Sequence, residues 1–405
     1  MASARPLHVL YIVQYFNNPD EPGGTRAYQF AERWATHGHR VTVLTGNLNH
    51  KTLSETTQVP SGIDGVEVVR VRTYNRIRGS FRRRVLNFLS FAWQAVVRGL
   101  RVRRVDVVYA SSTPLTTGLA GCVLAGLKRC PFYFEVRDLW PESAVVAGVI
   151  TNPAVVRGIE LFERLFYRRA AKVVALTEGI RDGVIRKGKA PEDVLFVPNG
   201  MDDWMLDVQP VAAADTPFRP DEHFICGYVG AHGRWNRLET ILEAAAELRG
   251  TRIRFLFVGD GDYKAELQRY ARTLGVDNVH FHDPVPKKQI FDYLSLAHVA
   301  IICTWDHEFQ RMVLANKVFD YMAAGRPIVA AARGETADLV ARADCGWTVD
   351  PERPVELAEL LVRISQLPAA VVRQKGANGR SYVAQHYRRS ALADRLQQTF
   401  VEAVS

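Results

Sequence analysis

At 405 residues the chain is too long for one ordinary hydrophobic core and suits two domains of about 200 residues each. Its 47% apolar and 23% charged residues are those of a globular protein and exclude extensive disorder. The net charge of +9 is uneven: eleven arginines and no acidic residue fall between positions 70 and 104, a patch suited to nucleic acid, anionic lipid or a phosphorylated ligand.

The first six residues lead straight into the apolar run 7–13 without the features of a secretory signal, and no stretch reaches the roughly 20 apolar residues of a spanning helix. The five cysteines, Cys122, Cys130, Cys226, Cys303 and Cys345, are scattered and show no CxxC spacing. Neither a zinc ribbon nor a disulfide framework is indicated, and a reducing cytoplasm is the expected location.

Strands are expected at 7–13, 40–44, 66–72, 106–110, 132–136, 172–176 and 194–197, with helices at 25–36, 85–100 and 154–169 among them. After a mixed, proline-containing linker at 202–223 a second series begins. It places strands at 224–230, 254–258, 278–282, 299–304 and 327–331, with helices at 238–248, 263–274, 288–296, 317–324 and 355–366. Strand–helix alternation argues for parallel sheets covered on both faces. The predicted fold class is α/β, with two Rossmann-like domains facing across a cleft where such folds bind ligands. The expected division is 1–205, 206–385 and a C-terminal helix at 386–405 that packs back on the N-terminal domain.

Two segments carry phosphate chemistry. Gly227-Tyr228-Val229-Gly230-Ala231-His232-Gly233 closes a strand, turns on glycine and leads into a helix, so that backbone N–H groups at Gly230 and Gly233 can approach an anion. A strand-to-helix glycine turn is as often purely structural. In Leu314-Ala315-Asn316-Lys317-Val318-Phe319-Asp320, Asn316 is a candidate N-cap and Lys317 stands in the first helical turn. A cation there opposes the helix dipole, which is easier to explain if it faces a phosphate. Asp320, three residues on, is placed to accept hydrogen bonds from sugar or ribose hydroxyls. A solvated Lys/Asp pair on a surface helix is the alternative.

An ordered set of motifs runs along the chain: Gly23-Gly24-Thr25-Arg26, Gly38-His39-Arg40-Val41, Val197-Pro198-Asn199-Gly200-Met201-Asp202, Phe257-Val258-Gly259-Asp260-Gly261 and Tyr321-Met322-Ala323-Ala324-Gly325-Arg326-Pro327. The set resembles glycosyltransferase family 4. Arg137-Asp138-Leu139-Trp140-Pro141-Glu142-Ser143 resembles the fucosaminyltransferase-like branch that builds bacterial O-antigen and capsular polysaccharides.

The resemblance implies the GT-B fold, a nucleoside-diphosphate sugar as donor with uridine the usual base, retention of configuration, and neither a cofactor nor a metal. Two departures stand out. Of the family's Glu-x7-Glu pair, which frames the donor, the positions here are Met312 and Asp320. The usual Arg and Lys that clamp the diphosphate fall at Ala231 and Asn236. Lys317, with Arg234 or Arg237, is therefore expected to supply the missing charge, since desolvated anions need paired charge.

In the N-terminal half, Gly23 and Gly24 are expected to form a phosphate or acceptor loop, with Arg26 as a further phosphate contact. Arg137 and Asp138 follow a buried strand in the register of a family His-Asp and are assigned catalytic roles beside Lys317. A tight turn with a surface arginine, and an Arg–Asp pair bracing a loop, are the structural alternatives. Asp260-Gly261-Asp262 imitates a metal motif but sits in a family turn and is declined.

The arginine-rich segment 76–104 joins charges to an apolar helix. It suits an anionic membrane surface that would bring the enzyme to a lipid-linked acceptor, peripheral at the inner face of the membrane. A core helix with solvated flanks is the alternative. No stacking-aromatic or recognition-helix pattern points to nucleic acid. The expected partners are a nucleotide sugar and a carbohydrate, lipid-linked or small-molecule acceptor. A sugar-nucleotide 2-epimerase of the same fold and a non-catalytic sugar-nucleotide-binding protein are the alternative functions.

Overall fold

Apolar strands alternating with amphipathic helices build two parallel sheets in a computed structural model that describes residues 5–19, 21, 24–48, 63–75, 81–211 and 215–405. Two compact units result, residues 1–199 with 389–405 and residues 200–388. The sequence reading put the junction at 205/206; here it falls at 199/200.

In the first unit the strands are β1 (His8–Ile12), β2 (Arg40–Gly46), β3 (Val66–Val71), β4 (Val107–Ser111), β5 (Phe132–Val136), β6 (Lys172–Ala175) and β7 (Val194–Phe196). The helices are α1 (Arg26–Thr36), α2 (Phe81–Arg101), α3 (Thr116–Lys128), α4 (Glu142–Val146), α5 (Pro153–Arg169) and α6 (Glu178–Arg186). The sheet order is β3-β2-β1-β4-β5-β6-β7.

Successive strand residues face opposite ways. Val9, Tyr11, Val43, Tyr109 and Tyr133 pack on one side with α1 and with α15 (Arg389–Val404), where Phe400 meets Trp34 edge-on at 5.2 Å. Leu44, Ala110, Phe132 and Phe134 face the other side, against α2 and α3. Small residues seat α3 there: a Cβ on Gly121 would come within 2.3 Å of Phe132, and one on Gly118 within 2.7 Å of Phe166 on α5.

The second unit holds β8 (Phe224–Val229), β9 (Ile253–Val258), β10 (Val279–His282), β11 (Val299–Cys303), β12 (Ile328–Ala331) and β13 (Gly346–Val349), in the order β10-β9-β8-β11-β12-β13. Around them lie α7 (Glu239–Glu247), α8 (Lys264–Leu274), α9 (Ile290–Leu296), α10 (Glu308–Arg311), α11 (Lys317–Ala323), α12 (Glu335–Arg342), α13 (Pro354–Ser365) and α14 (Ala369–His386). The strand order reverses between β8 and β11, and in open α/β sheets ligands bind beyond the strand ends at such a switch point. The glycine segment leaves β8 at that point, and the chain from β11 leads through α10 to α11.

Candidate functional site

In the second unit the glycine segment is a framed loop. Gly230 N–H donates to Val258 O at 2.9 Å, and His232 N–H to Asp260 O at 2.9 Å. The loops after β8 and β9 lie so close that a Cβ on Gly259 would come within 2.1 Å of Gly230 O, and one on Gly261 within 2.2 Å of His232 O. The glycines of the Gly259-Asp260-Gly261 motif are therefore required by backbone approach. Gly230 itself has φ +155°, and a Cβ there would meet Lys317 Cε at 3.2 Å. Gly233 is under no such pressure, its nearest neighbour being Asn236 Nδ2 at 3.8 Å. The turn does not open α7 directly: a short 3₁₀ turn, Arg234–Asn236, and a left-handed Arg237 (φ +40°) intervene.

Lys317 begins α11 and reaches across to this loop. Its Nζ donates to Tyr228 Oη at 2.6 Å and to Asn236 Oδ1 at 3.0 Å, and lies 4.2 Å from the Tyr228 ring centroid. Tyr228 O–H donates to Ala231 O at 2.7 Å, and Asn236 Nδ2 donates to the same oxygen at 2.9 Å. The four groups form a closed ring. Tyr321 anchors α11 to β8, donating to Val229 O at 3.0 Å and accepting from Val229 N–H at 2.8 Å. Asn316 occupies the N-cap position of α11 with helical φ and ψ, and its side chain makes no capping hydrogen bond. The expected side-chain cap is thus absent, because a residue already in the helical region does not aim its amide at the first-turn N–H groups.

Asp320 is paired with Lys287, Nζ to Oδ2 2.5 Å, in a part-buried bridge. Arg234 lies over the Tyr263 ring, 4.7 Å from its centroid, and Arg237 forms an ion pair with Glu352. A polar cavity of about 290 Å³ is lined by Arg237, Glu239, Glu243, Glu266 and Glu352, among others. Four carboxylates make it a poor host for a diphosphate, and neither Lys317 nor Asp320 lines it. His232 is fully buried among Tyr228, Phe257 and Phe281, and neither ring nitrogen has a hydrogen-bond partner among the described residues. Burial, then the Lys264 and Lys317 ammoniums, push this imidazole down to about 4, so it stays neutral.

The first unit carries a different arrangement. Arg26, 2% exposed, directs Nε to Glu135 Oε2 at 2.9 Å, Nη2 to Val197 O at 2.9 Å and Nη1 to Pro198 O at 2.5 Å. Glu135 also accepts from Tyr109 Oη at 2.5 Å and Ser111 Oγ at 2.6 Å. Burial alone would raise the Glu135 carboxyl, but Arg26, Arg137 and the two hydroxyls outweigh it and hold it below its ordinary value. Arg389 donates Nε to Asn199 O at 3.1 Å and Nη1 to Thr25 Oγ1 at 2.9 Å. Burial, then Arg26 and Arg137, push its guanidinium down to about 9.

The Val197-Pro198-Asn199 motif is thus read by two arginines through its carbonyls, and the structure turns Arg26 inward to that duty. Arg137 and Asp138 emerge half-buried after β5. Arg137 N–H donates to Ser112 Oγ at 2.9 Å, and Thr113 Oγ1 donates to Asp138 at 3.5 Å. Burial holds the Asp138 carboxyl above its ordinary value against the pull of Arg137 and Thr113. Gly24 is exposed with open space where a Cβ would stand, and Gly23 lies outside the described residues, as do positions 76–80.

The structure therefore brings Gly230, Lys317 and Asn236 together and places Lys287 on Asp320. Tyr228 and Lys287 are partners that sequence reasoning missed; only the Lys287-Lys288 doublet after Pro286 offered a signal.

Residues 23–200 match the family model described as a glycosyl transferase 4-like domain, and residues 223–366 match glycosyl transferases group 1. The chain carries a glycosyl transferase 4-like domain followed by a glycosyl transferases group 1 domain. Among relatives, it is 25% identical over 298 residues to the probable glycosyltransferase WbjE of Pseudomonas aeruginosa, spanning 71% of this chain and 72% of that one. It is 27% identical to the 2-deoxystreptamine glucosyltransferase of Streptomyces kanamyceticus, over 66% and 70%.

Among solved structures, Anabaena HepE in complex with UDP and glucose superposes with a TM-score of 0.71 at 17% identity, covering 98% of this chain and 100% of that chain. Sucrose-phosphate synthase from Thermosynechococcus elongatus gives 0.77 at 19% identity, covering 98% of each. The architecture is the GT-B fold of two Rossmann-like domains.

Proposed function

We propose that this glycosyltransferase moves a sugar, with retention of configuration, from a UDP-linked donor bound at Gly230 and Lys317 to a glycan or lipid-linked acceptor in polysaccharide synthesis. The observation that carries the donor assignment is the Lys317 ammonium, fixed by Tyr228 and Asn236 against a glycine whose missing side chain leaves room beside it. The UDP complex of HepE supports the choice of nucleotide, and the Arg137–Ser143 segment supports the fucosaminyltransferase-like branch.

In this reaction the bond between the anomeric carbon and the β-phosphate oxygen breaks while the acceptor oxygen bonds to the same face of that carbon. The acceptor proton passes to the departing phosphate oxygen. Negative charge grows on the leaving group, and a preorganised cation stabilises it most where charge develops. Lys317 fills that role. Asp320 receives hydroxyl groups of the donor, and Arg137 and Asp138 serve the acceptor side.

Incubation with a panel of sugar nucleotides, with and without acceptor, tests the reading. Transfer from a UDP-sugar is expected, whereas isomerisation or bare binding would replace it with one of the alternatives. Lys317→Ala is expected to lower turnover tenfold or more, about 1.4 kcal/mol of transition-state stabilisation. Near-wild-type turnover would remove Lys317 from the role.

A further inference from the structure

Thirteen of the eighteen large apolar side chains exposed among the described residues fall between positions 86 and 165, in the first unit. They form helical stripes. On α2 the exposed residues Leu86, Leu89, Trp93 and Leu100 recur at spacings of three, four and seven, while Phe91 and Ala95 on the same helix are buried. The helix is therefore apolar on two sides, and only one of them is used by the core.

The neighbouring helices repeat the pattern, α3 through Leu127 and α5 through Leu161 and Phe162. The three helices are packed side by side. A Cβ on Gly99 of α2 would meet Leu124 of α3 at 2.5 Å, and Gly118 of α3 abuts Phe166 of α5. Exposed apolar side chains gathered on three adjoining helices mark an interaction site, since scattered single side chains would need no explanation.

Charge selects the partner. The three helices carry ten basic residues against two acidic ones, Glu160 and Glu163. Glu163 is buried and paired with Lys187. Arginines sit at both ends of α2 and along α5, as in helices that lie in a lipid interface with apolar side chains below and cations at the headgroups. No described helix is long and apolar enough to cross a membrane.

We propose that the α2–α3–α5 face docks on an anionic lipid bilayer, inserting Trp93 and Phe162 between headgroups ringed by arginine. The surface stands independently of the sugar-transfer reading; that it delivers a lipid-linked acceptor rests on that reading.

Flotation with phosphatidylcholine vesicles, with and without phosphatidylglycerol, tests the docking in low and high salt. Binding to the anionic vesicles, weakened by salt and absent from pure phosphatidylcholine, is expected. Trp93→Ser/Phe162→Ser is expected to lower the bound fraction about tenfold, and so is Arg82→Ser/Arg83→Ser/Arg84→Ser. Trp93 is 68% and Phe162 56% exposed, so both variants are expected to fold, which an unchanged thermal transition checks.

Absence of wild-type flotation on anionic vesicles would overturn the proposal. So would undiminished flotation of the Trp93/Phe162 variant, or a solution dimer that this variant converts to monomer without any vesicle binding. Sugar transfer to a soluble acceptor reads the catalytic assignment separately: vesicle binding with no transfer sinks the function, and transfer with no vesicle binding sinks this surface.

Discussion

Arg26 and Lys317 are both cations in the first turn of a helix, and the fold uses them oppositely. Arg26 turns inward onto a buried carboxylate, Glu135, and three of its N–H groups are directed to protein oxygens within 2.9 Å. Two of the groups that hold Lys317 are neutral, the Tyr228 hydroxyl and the Asn236 amide oxygen. Pairing with a buried carboxylate makes a brace of Arg26, whereas Lys317 reaches across to the glycine loop. The same local signal therefore has two outcomes, decided by what the distant chain delivers to the cation.

Breaking the brace has the largest expected effect. Glu135→Gln leaves the buried Arg26 charge unpaired and is expected to cost the first unit about 3–5 kcal/mol, read by urea denaturation. A loss within about 1 kcal/mol, the range of an exposed pair, would show that the arginine is not committed to the core. Acid probes the same pair. Because the Glu135 carboxyl is held below its ordinary value, its stabilisation is full above the usual glutamate range and declines as pH falls toward its depressed value. Glu135→Gln is expected to remove that part of the acid dependence.

Asn236 gives a sharper test of the donor side. The resemblance to the family implies a clamp lysine at this position, and Asn236→Lys would bring a second ammonium into the neighbourhood of Lys317. Turnover is expected to fall about tenfold, and Asn236→Lys/Lys317→Ala is expected to recover part of it. No recovery would mean that the cation has not moved from one position to the other. Lys287→Met, which releases Asp320, is expected to raise the donor KM about threefold with kcat unchanged, as for lost ground-state binding. A fall in kcat at constant KM would overturn that assignment.

The smallest effect is expected at His232. Neither ring nitrogen is hydrogen-bonded among the described residues, so His232→Phe is expected to leave stability unchanged or raise it by about 1 kcal/mol. A clear loss of stability would reveal a partner for the imidazole.

Periodicity and glycine placement made the two α/β halves legible, because the reach of each strand or helix signal is only a few residues. Helix α3 is the hard element: its glycines are weak helix formers, and only Phe166 and Phe132 beneath Gly118 and Gly121 explain why glycine is needed there. The oddity of a lysine opening a helix was also visible in one line of sequence.

The sequence by itself determined the alternation, the switch-point loop and the presence of Lys317 at a helix start, since each depends on neighbours along the chain. Tertiary structure alone decided that Arg26 turns inward, because its carbonyl partners lie more than 170 residues away. It alone placed Lys287 on Asp320 and Asn236 on Lys317, across 33 and 81 residues. A hydrogen bond needs its partner within about 3 Å, and that distance is set by how strands and helices stack.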